Sequence, residues 1–538
     1  IDFETMEWAR TPNPNAHFKY DKIKRPSEAL KKGDVIQVRL RGKRFYSTRI
    51  NKELSELKRK QRKKYKRPDD LPDFNEYTLI ELEQEPIAEA ALISFDQKTS
   101  DILAMVGGYD FSRSQFNRTI QAARQTGSAF KSIVYASALD KGFTAATPII
   151  DAPIVYEEEE EDNEGQTPDE VRPSKVDGKD EEDVAVKKWR PMNHSNKFGG
   201  DILFRNALIR SLNVPTVKII EKIGIDWVAK YARRLGIFSP LNMDLTLALG
   251  SSGVTLYEMT KVFAQFGRLG KKINPIIIHK VEDTEGHVLL ENLSLDDRFI
   301  DEMTALHEEF EKYRKAYLDY KRTHPEVSTE NSNANGKTPP EENIEANKIV
   351  NDNGEEVFQF TRKTFLREPP IYFQNEDQLM NPSTAYIITS LLQGVIEEPR
   401  GTGGRARSLG RPVAGKTGTT NGYYDGWFIG FTPDIATGVW VGYDDERSLG
   451  RGEVGGRAAL PIWLEYMKFA HEGLPPRNFP VPENIVFANI DNETGKLASA
   501  NSKQVIKQAF VEGTEPSQFN SEAEQEEAQD FYKEELSE

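Results

Sequence analysis

The chain has 538 residues, too many for one simple hydrophobic core, which predicts two or more domains. It has no cysteine, which excludes disulfides, thiolate metal sites and a cysteine nucleophile, and its seven histidines never fall at H-x-x-x-H spacing, so no metal and no cofactor is expected. The net charge of -15 is local: Glu157 to Asp183 carries 14 acids against 3 bases and Glu522 to Glu538 carries 8 against 1, leaving the remainder at about +3, and no nucleic-acid partner is expected.

No run of eighteen apolar residues and no charged-then-apolar leader occurs, so the sequence as given is expected to be soluble; its start at Ile1-Asp2-Phe3 reads as that of a fragment. Residues 1 to 85 hold short strand-like runs (Val35 to Leu40, Phe45 to Ile50, Tyr77 to Leu82) and a basic stretch from Lys52 to Arg67. That stretch reads as a solvated helix or loop, with an anionic wall or membrane surface as the alternative. Ala88 to Gly107 predicts a β-hairpin, Ala91 to Phe95 and Ile102 to Val106 about a turn at Asp96 to Ser100.

In Gly127-Ser128-Ala129-Phe130-Lys131, residues three apart share one helix face, so a lysine amine can reach a serine hydroxyl within one turn: a nucleophile and base without histidine. Alone, S-x-x-K reads as an N-cap serine with a solvated lysine. Here Phe130 to Leu139 is almost all apolar or small and closes at Gly142, and a buried helix carrying a lysine needs a reason.

Beyond the acidic insert, residues 157–188, come Trp189-Arg190-Pro191 and an amphipathic run from Ile202 to Arg210. Ser211-Leu212-Asn213 then lies in a helix-to-helix turn ahead of Pro215 at the next helix start. Asp226 to Leu235 closes a helix at Gly236, and Thr255-Leu256-Tyr257-Glu258 is a capping box opening a helix through Phe266. A second insert, 296–356, opens with a charged helical pattern (Met303 to Tyr320), continues into Ser/Asn/Pro/Glu, and is expected to be a solvated, partly disordered loop. Lys416-Thr417-Gly418-Thr419-Thr420 opens a strand-like run; Gly426 to Ile429 and Thr437 to Tyr443 read as adjacent antiparallel strands.

S-x-x-K, S-x-N and K-T-G in that order form the motif set of class A β-lactamases and penicillin-binding proteins, with Leu212 where S-D-N has aspartate. Over residues 85 to 514, inserts apart, the chain resembles the transpeptidase half of class A penicillin-binding proteins, the bifunctional enzymes of bacterial cell-wall synthesis. Gly107-Gly108-Tyr109-Asp110-Phe111, Phe116-Asn117-Arg118, Ala414-Gly415 and Asp425-Gly426-Trp427-Phe428-Ile429-Gly430 carry the likeness further. Ser132 departs from it, standing where a proline usually follows the lysine.

The resemblance implies an α+β penicillin-binding protein or serine β-lactamase-like fold: an antiparallel sheet with helices on both faces (86–514), preceded by an OB-like accessory region (1–85) and followed by an acidic tail (515–538). It implies a D,D-transpeptidase in which Ser128 attacks the D-alanyl-D-alanine carbonyl. Lys131 accepts the proton, its pKa lowered by burial and Lys416; Ser211 relays a proton, and Asn213 holds the substrate amide. Thr417, Gly418, Thr419 and Thr420 bind substrate, with the N–H groups of Ser128 and Thr419 as the oxyanion hole. Stem peptides and β-lactams are the implied ligands, with cell-wall synthesis proteins as further partners. The implied location is the extracytoplasmic face of the inner membrane, through an anchor outside this chain, and the glycosyltransferase half has no counterpart here. A D,D-carboxypeptidase and a silent β-lactam sensor remain alternatives; a class A β-lactamase needs a deacylating glutamate, and this sequence offers no assignable one.

Overall fold

The computed structural model describes residues 1–17, 19–69, 71, 74–158, 187–325, 347–350, 354, 356–361 and 377–519. Most of the acidic insert, the Ser/Asn/Pro/Glu stretch of the second insert and the last nineteen residues of the tail lie outside them.

At the N-terminal end β1 (Gln37–Gly42) pairs antiparallel with β2 (Leu79–Glu83), and α1 (Thr48–Gln61) lies between them in sequence. The strand expected at Phe45 to Ile50 is instead a turn and the first residues of α1. Ser47 caps that helix by accepting from the Ile50 N–H, and the Lys, Glu, Leu and Arg that follow are strong helix formers. No residue of α1 is buried, so its basic side chains are solvated.

The expected hairpin forms as β3 (Glu89–Asp96) and β4 (Ile102–Val106). Next comes α2 (Lys131–Asp140), whose residues from Lys131 to Leu139 are all buried, so it has no solvent face and runs through the centre of the molecule. The run Ile202 to Arg210 is not one amphipathic helix. Gly200–Leu203 is extended and pairs with Pro148–Asp151, and only Phe204–Ile209 (α3) is helical, buried at every residue. Four helices follow: α4 (Val214–Ile223), α5 (Ile225–Arg234), α6 (Leu256–Gly267), which opens with the expected Thr255–Glu258 capping box, and, after the second insert, α8 (Pro382–Glu397). Three strands come next, β9 (Ala414–Thr419), β10 (Asp425–Phe431) and β11 (Ile435–Gly442), then α9 (Leu460–Ala470) and a C-terminal hairpin, Ile485–Asp491 with Val505–Val511.

These strands form one antiparallel sheet in the order β9-β10-β11-β3-β4. Helices α6 and α8 pack on one face, with α2 behind α8. Helix α9 covers the other face, where the Trp463 indole donates to Gly430 O and Thr437 O. The sheet is buried on both sides, so β10 and β11 read as nearly continuous apolar runs rather than alternating ones.

The described part of the second insert is packed rather than a solvated loop. Asp296 is fully buried and accepts from Lys261 Nζ (2.7 Å) and Tyr257 OH (2.8 Å) of α6. A 24-residue helix, α7 (Ile300–Thr323), sets Tyr313 and Tyr317 edge-on against Phe358 and Phe360 beside the short pair Asn347–Val350 and Glu356–Gln359. Those aromatics and the buried Asp296 anchor it; the sequence pattern shows only the charged outer face.

Candidate active site

Ser128 sits on a 3-10 turn, Gly127–Ala129, that runs into α2. Gly127 has φ +51, and a Cβ there would lie 2.4 Å from Thr419 O; a Cβ on Gly418 would lie 2.4 Å from Thr126 O. Two glycines therefore let the serine turn close directly onto the end of β9. Ala129 and Phe130 are fully buried while Ser128 keeps part of its surface, so the serine is left at the edge of the cleft as its neighbours anchor the turn.

Lys131 points from the first turn of α2 toward the loop between α3 and α4. Its ammonium donates to Ser211 O (2.9 Å), Leu212 O (2.9 Å) and Asn213 Oδ1 (2.6 Å). From the opposite wall Lys416 Nζ of β9 donates to Ser211 Oγ (2.8 Å) and Thr417 O (3.2 Å). The structure thus brings together the turns of Ser128 and Ser211 and the strand of Lys416, and the two lysines meet across Ser211. Both are fully buried. Burial, with a smaller contribution from the Lys416 charge, holds the Lys131 pKa well below the usual lysine range, and burial alone lowers that of Lys416 to about 7.

The Ser211 turn is itself held. Ser211 has φ +58, an unusual conformation for a residue with a Cβ. Asn193, buried behind it, accepts the N–H groups of Asn213 (2.8 Å) and Val214 (3.3 Å) on Oδ1, and its amide donates to both oxygens of buried Asp151 (2.8 and 3.1 Å). Asn213 Nδ2 donates to Met192 O (2.7 Å), which turns its oxygen toward Lys131. Asn193 and Asp151 are inconspicuous in the sequence. Their only local signal is an asparagine after Arg190-Pro191-Met192, ordinary turn chemistry until the long-range partner is known.

Side chains alternate along β9. Lys416 and Gly418 face the serine turn, whereas Thr417 and Thr419 project to the other side. There the Thr417 hydroxyl meets that of Thr402 (2.7 Å), and Thr419 Oγ1 accepts from Gly455 N–H (3.1 Å). Thr420 Oγ1 accepts from Asp425 N–H (2.8 Å) and fixes the exit of the strand. Among the described residues no group of three His, Asp or Glu is placed to hold a metal, and no helix is long and apolar enough to cross a membrane.

The model of the penicillin binding protein transpeptidase domain matches residues 90–177 and 367–462, stretches that contain Ser128, Lys131 and the Lys416 strand. That of the penicillin-binding protein 1A C-terminal domain matches residues 481–524. Penicillin-binding protein 1A of Pseudomonas aeruginosa is 36% identical over 437 residues, 81% of this chain and 46% of that protein. The chain carries a class A penicillin-binding protein transpeptidase region. Penicillin-binding protein 1A of Aquifex aeolicus is 32% identical over 80% of this chain and 44% of its own length, so this region spans about half of the curated relatives it matches. The crystal structure of penicillin-binding protein 1A from Haemophilus influenzae covers 82% of this chain and 56% of its own, with 28% identity and a TM-score of 0.58. The penicillin-binding protein fold expected from the motifs is the one present.

Proposed function

We propose that this region is a serine D,D-transpeptidase that cross-links peptidoglycan stem peptides through an acyl-enzyme at Ser128. The observation carrying the reading is the bridge Lys131 to the Ser211-Asn213 turn to Lys416, two buried lysines joined through one serine beside a serine on a glycine-hinged turn. Ser128 Oγ attacks the D-alanyl carbonyl carbon as Lys131 takes its proton, which requires a lysine pKa well below about 10.4. Burial and Lys416 lower it in that direction. The oxyanion forms between the N–H groups of Ser128 and Thr419, each worth ~3 kcal/mol of transition-state stabilisation. Ser211, accepting from Lys416, keeps its own O–H for the leaving nitrogen of D-alanine. Asn213 holds the substrate amide, and the Gly418 backbone, Thr417, Thr419 and Thr420 line the β9 edge on which the peptide and its terminal carboxylate lie. A β-lactam mimics the donor and stays attached. In this reading the region works on the extracytoplasmic face of the bacterial inner membrane, with residues 1–85 as an OB-like accessory part.

Intact mass after exposure to penicillin, with the adduct mapped by digestion, tests the reading. One equivalent on the peptide containing Ser128 is expected, with none in Ser128→Ala. An adduct that persists in that variant overturns the assignment.

A further inference from the structure

Two arginines beside segments bound to β9 have no side-chain partner among the described residues. Arg210 immediately precedes Ser211 and is half-buried; Arg400 is exposed and lies two residues before Thr402, whose hydroxyl meets that of Thr417. Ser211 is tied to Lys416 and Thr402 to Thr417, so the two arginines adjoin segments bound to successive residues of β9. Among the described residues neither guanidinium makes a side-chain hydrogen bond or ion pair. The acids nearest in charge are already engaged: Glu398 pairs with Arg205, and Asp151 is held by Asn193 and the Gly199 N–H. Burial, followed by repulsion from Arg400 and a smaller one from Arg205, pushes the Arg210 pKa down; Glu398 and Asp151 offset this only in part. Two like charges felt by each other, with the nearest described acids already engaged, suit an anion from outside the chain.

We propose that Arg210 and Arg400 bind the carboxylate groups of the acceptor stem peptide, the strand whose amine attacks the acyl-enzyme. The inference rests on the transpeptidase reading above. In that reading Ser211 passes a proton to the leaving nitrogen, so the attacking amine occupies the same place when D-alanine has gone, and the molecule bearing it extends past Ser211 and Thr402. In the step served, the N–C bond forms as the ester bond from Ser128 Oγ to the acyl carbon breaks. The amine gives up one proton through Ser211 and Ser128 regains one from Lys131. Two guanidinium forks suit carboxylates, and a stem peptide carries several. Arg210 and Arg400 are therefore specificity residues for the second half of the reaction.

The test is the fate of the acyl group. The chain is acylated by a D-alanyl-D-alanine donor peptide in the presence of an acceptor peptide bearing free carboxylates, and aminolysis and hydrolysis products are quantified. A second series uses an acceptor with its carboxylates amidated, and the second-order rate of penicillin acylation is measured alongside. Arg400→Gln, whose site is exposed, and Arg210→Lys, which keeps the charge, guard against loss of fold; Arg210→Gln and the double variant complete the set. Aminolysis relative to hydrolysis is expected to fall about tenfold in the double variant with the carboxylated acceptor and to stay level with the amidated one, as for loss of a charged contact. Arg210→Lys should retain most of the ratio, and penicillin acylation should stay within about twofold. An unchanged ratio in a normally acylated double variant overturns the inference and leaves the transpeptidase reading standing. Penicillin acylation that falls in step with aminolysis overturns it too, because the arginines would then serve the donor. Absence of any acylation at Ser128 in the parent chain would instead sink the underlying reading.

Discussion

Replacing Asn193 with alanine should loosen the active site from behind. The change removes the amide bonded to both oxygens of buried Asp151 and leaves the Asn213 and Val214 N–H groups at the start of α4 without their acceptor. A hydrogen bond to an ionised carboxylate contributes ~1.5–3 kcal/mol, and each buried unsatisfied N–H costs ~1–3 kcal/mol. A water entering the vacated space recovers part of this, so the expected loss is about 3–5 kcal/mol. At ~2 cal/mol/K of unfolding entropy per residue, a chain of this size shifts by about 1 °C per kcal/mol, so Tm should fall by about 3–5 °C. The turn that slackens carries all three acceptors of Lys131, and a displacement of about 1 Å there costs up to about a hundredfold in rate, so penicillin acylation should drop by about 10- to 100-fold. Asn193→Asp separates the two parts, because it keeps an acceptor for the N–H groups while setting a second carboxylate against Asp151. Thermal melting and second-order acylation rates are the assays. An Asn193→Ala protein that melts and acylates like the parent would refute the claim that the pair holds the turn.

Lys416→Met removes the second cation, so Lys131 holds its proton more easily and the rising limb of acylation against pH should move to higher pH. It should remain below the ordinary lysine range because burial is the larger cause, and a limb that moves down would contradict the assignment of Lys131 as base. The same variant tests stability. With a folded pKa of about 7 against 10.5 for free lysine, Lys416 opposes folding most below pH 7, and the cost fades as pH rises toward 10.5, so the gain in Tm from Lys416→Met should be largest at low pH. Gly127→Ala forces a Cβ onto Thr419 O and should cut acylation about a hundredfold; a parent-like rate would show that β9 yields freely. Asp296→Ala leaves Lys261 buried without its carboxylate and should cost ~3–5 kcal/mol by denaturant unfolding, with Lys261→Met/Asp296→Leu recovering most of it. Equal stability of Asp296→Ala and parent would mean that the second insert is not anchored there.

Local rules carried much of the fold. The β3–β4 hairpin, the Thr255–Glu258 capping box and the β10–β11 pair are each specified within a few residues, and each forms where its pattern places it. What failed was decided by residues outside the segment read, some adjacent and some distant in sequence. Phe45 to Ile50 has strand-like composition, but the Ser47 cap and the charged residues beyond it favour a helix. Asp296 looks like one more surface acid until Lys261 is beside it. The site shows the same division: Ser128, Lys131, Ser211, Asn213 and Lys416 stand out because lysine and serine at those spacings are chemically conspicuous. Asn193, Asp151 and the close approach of Gly127 to Thr419 depend on contacts that no window of sequence contains.

The three acceptors around Lys131 carry a consequence for what happens after acylation. Two carbonyls and an amide oxygen can only accept, so they ask for three N–H donors, whereas an uncharged amine offers two. A lysine ready to act as base is one donor short, and the proton drawn from Ser128 completes the set. From then on the amine is saturated and has no lone pair for an incoming water. On the proposed mechanism, water approaching from the Lys131 side then finds no base to take its proton. Any nucleophile must then shed its proton through Ser211, so the acyl-enzyme favours a partner strand that sets its amine at that hydroxyl.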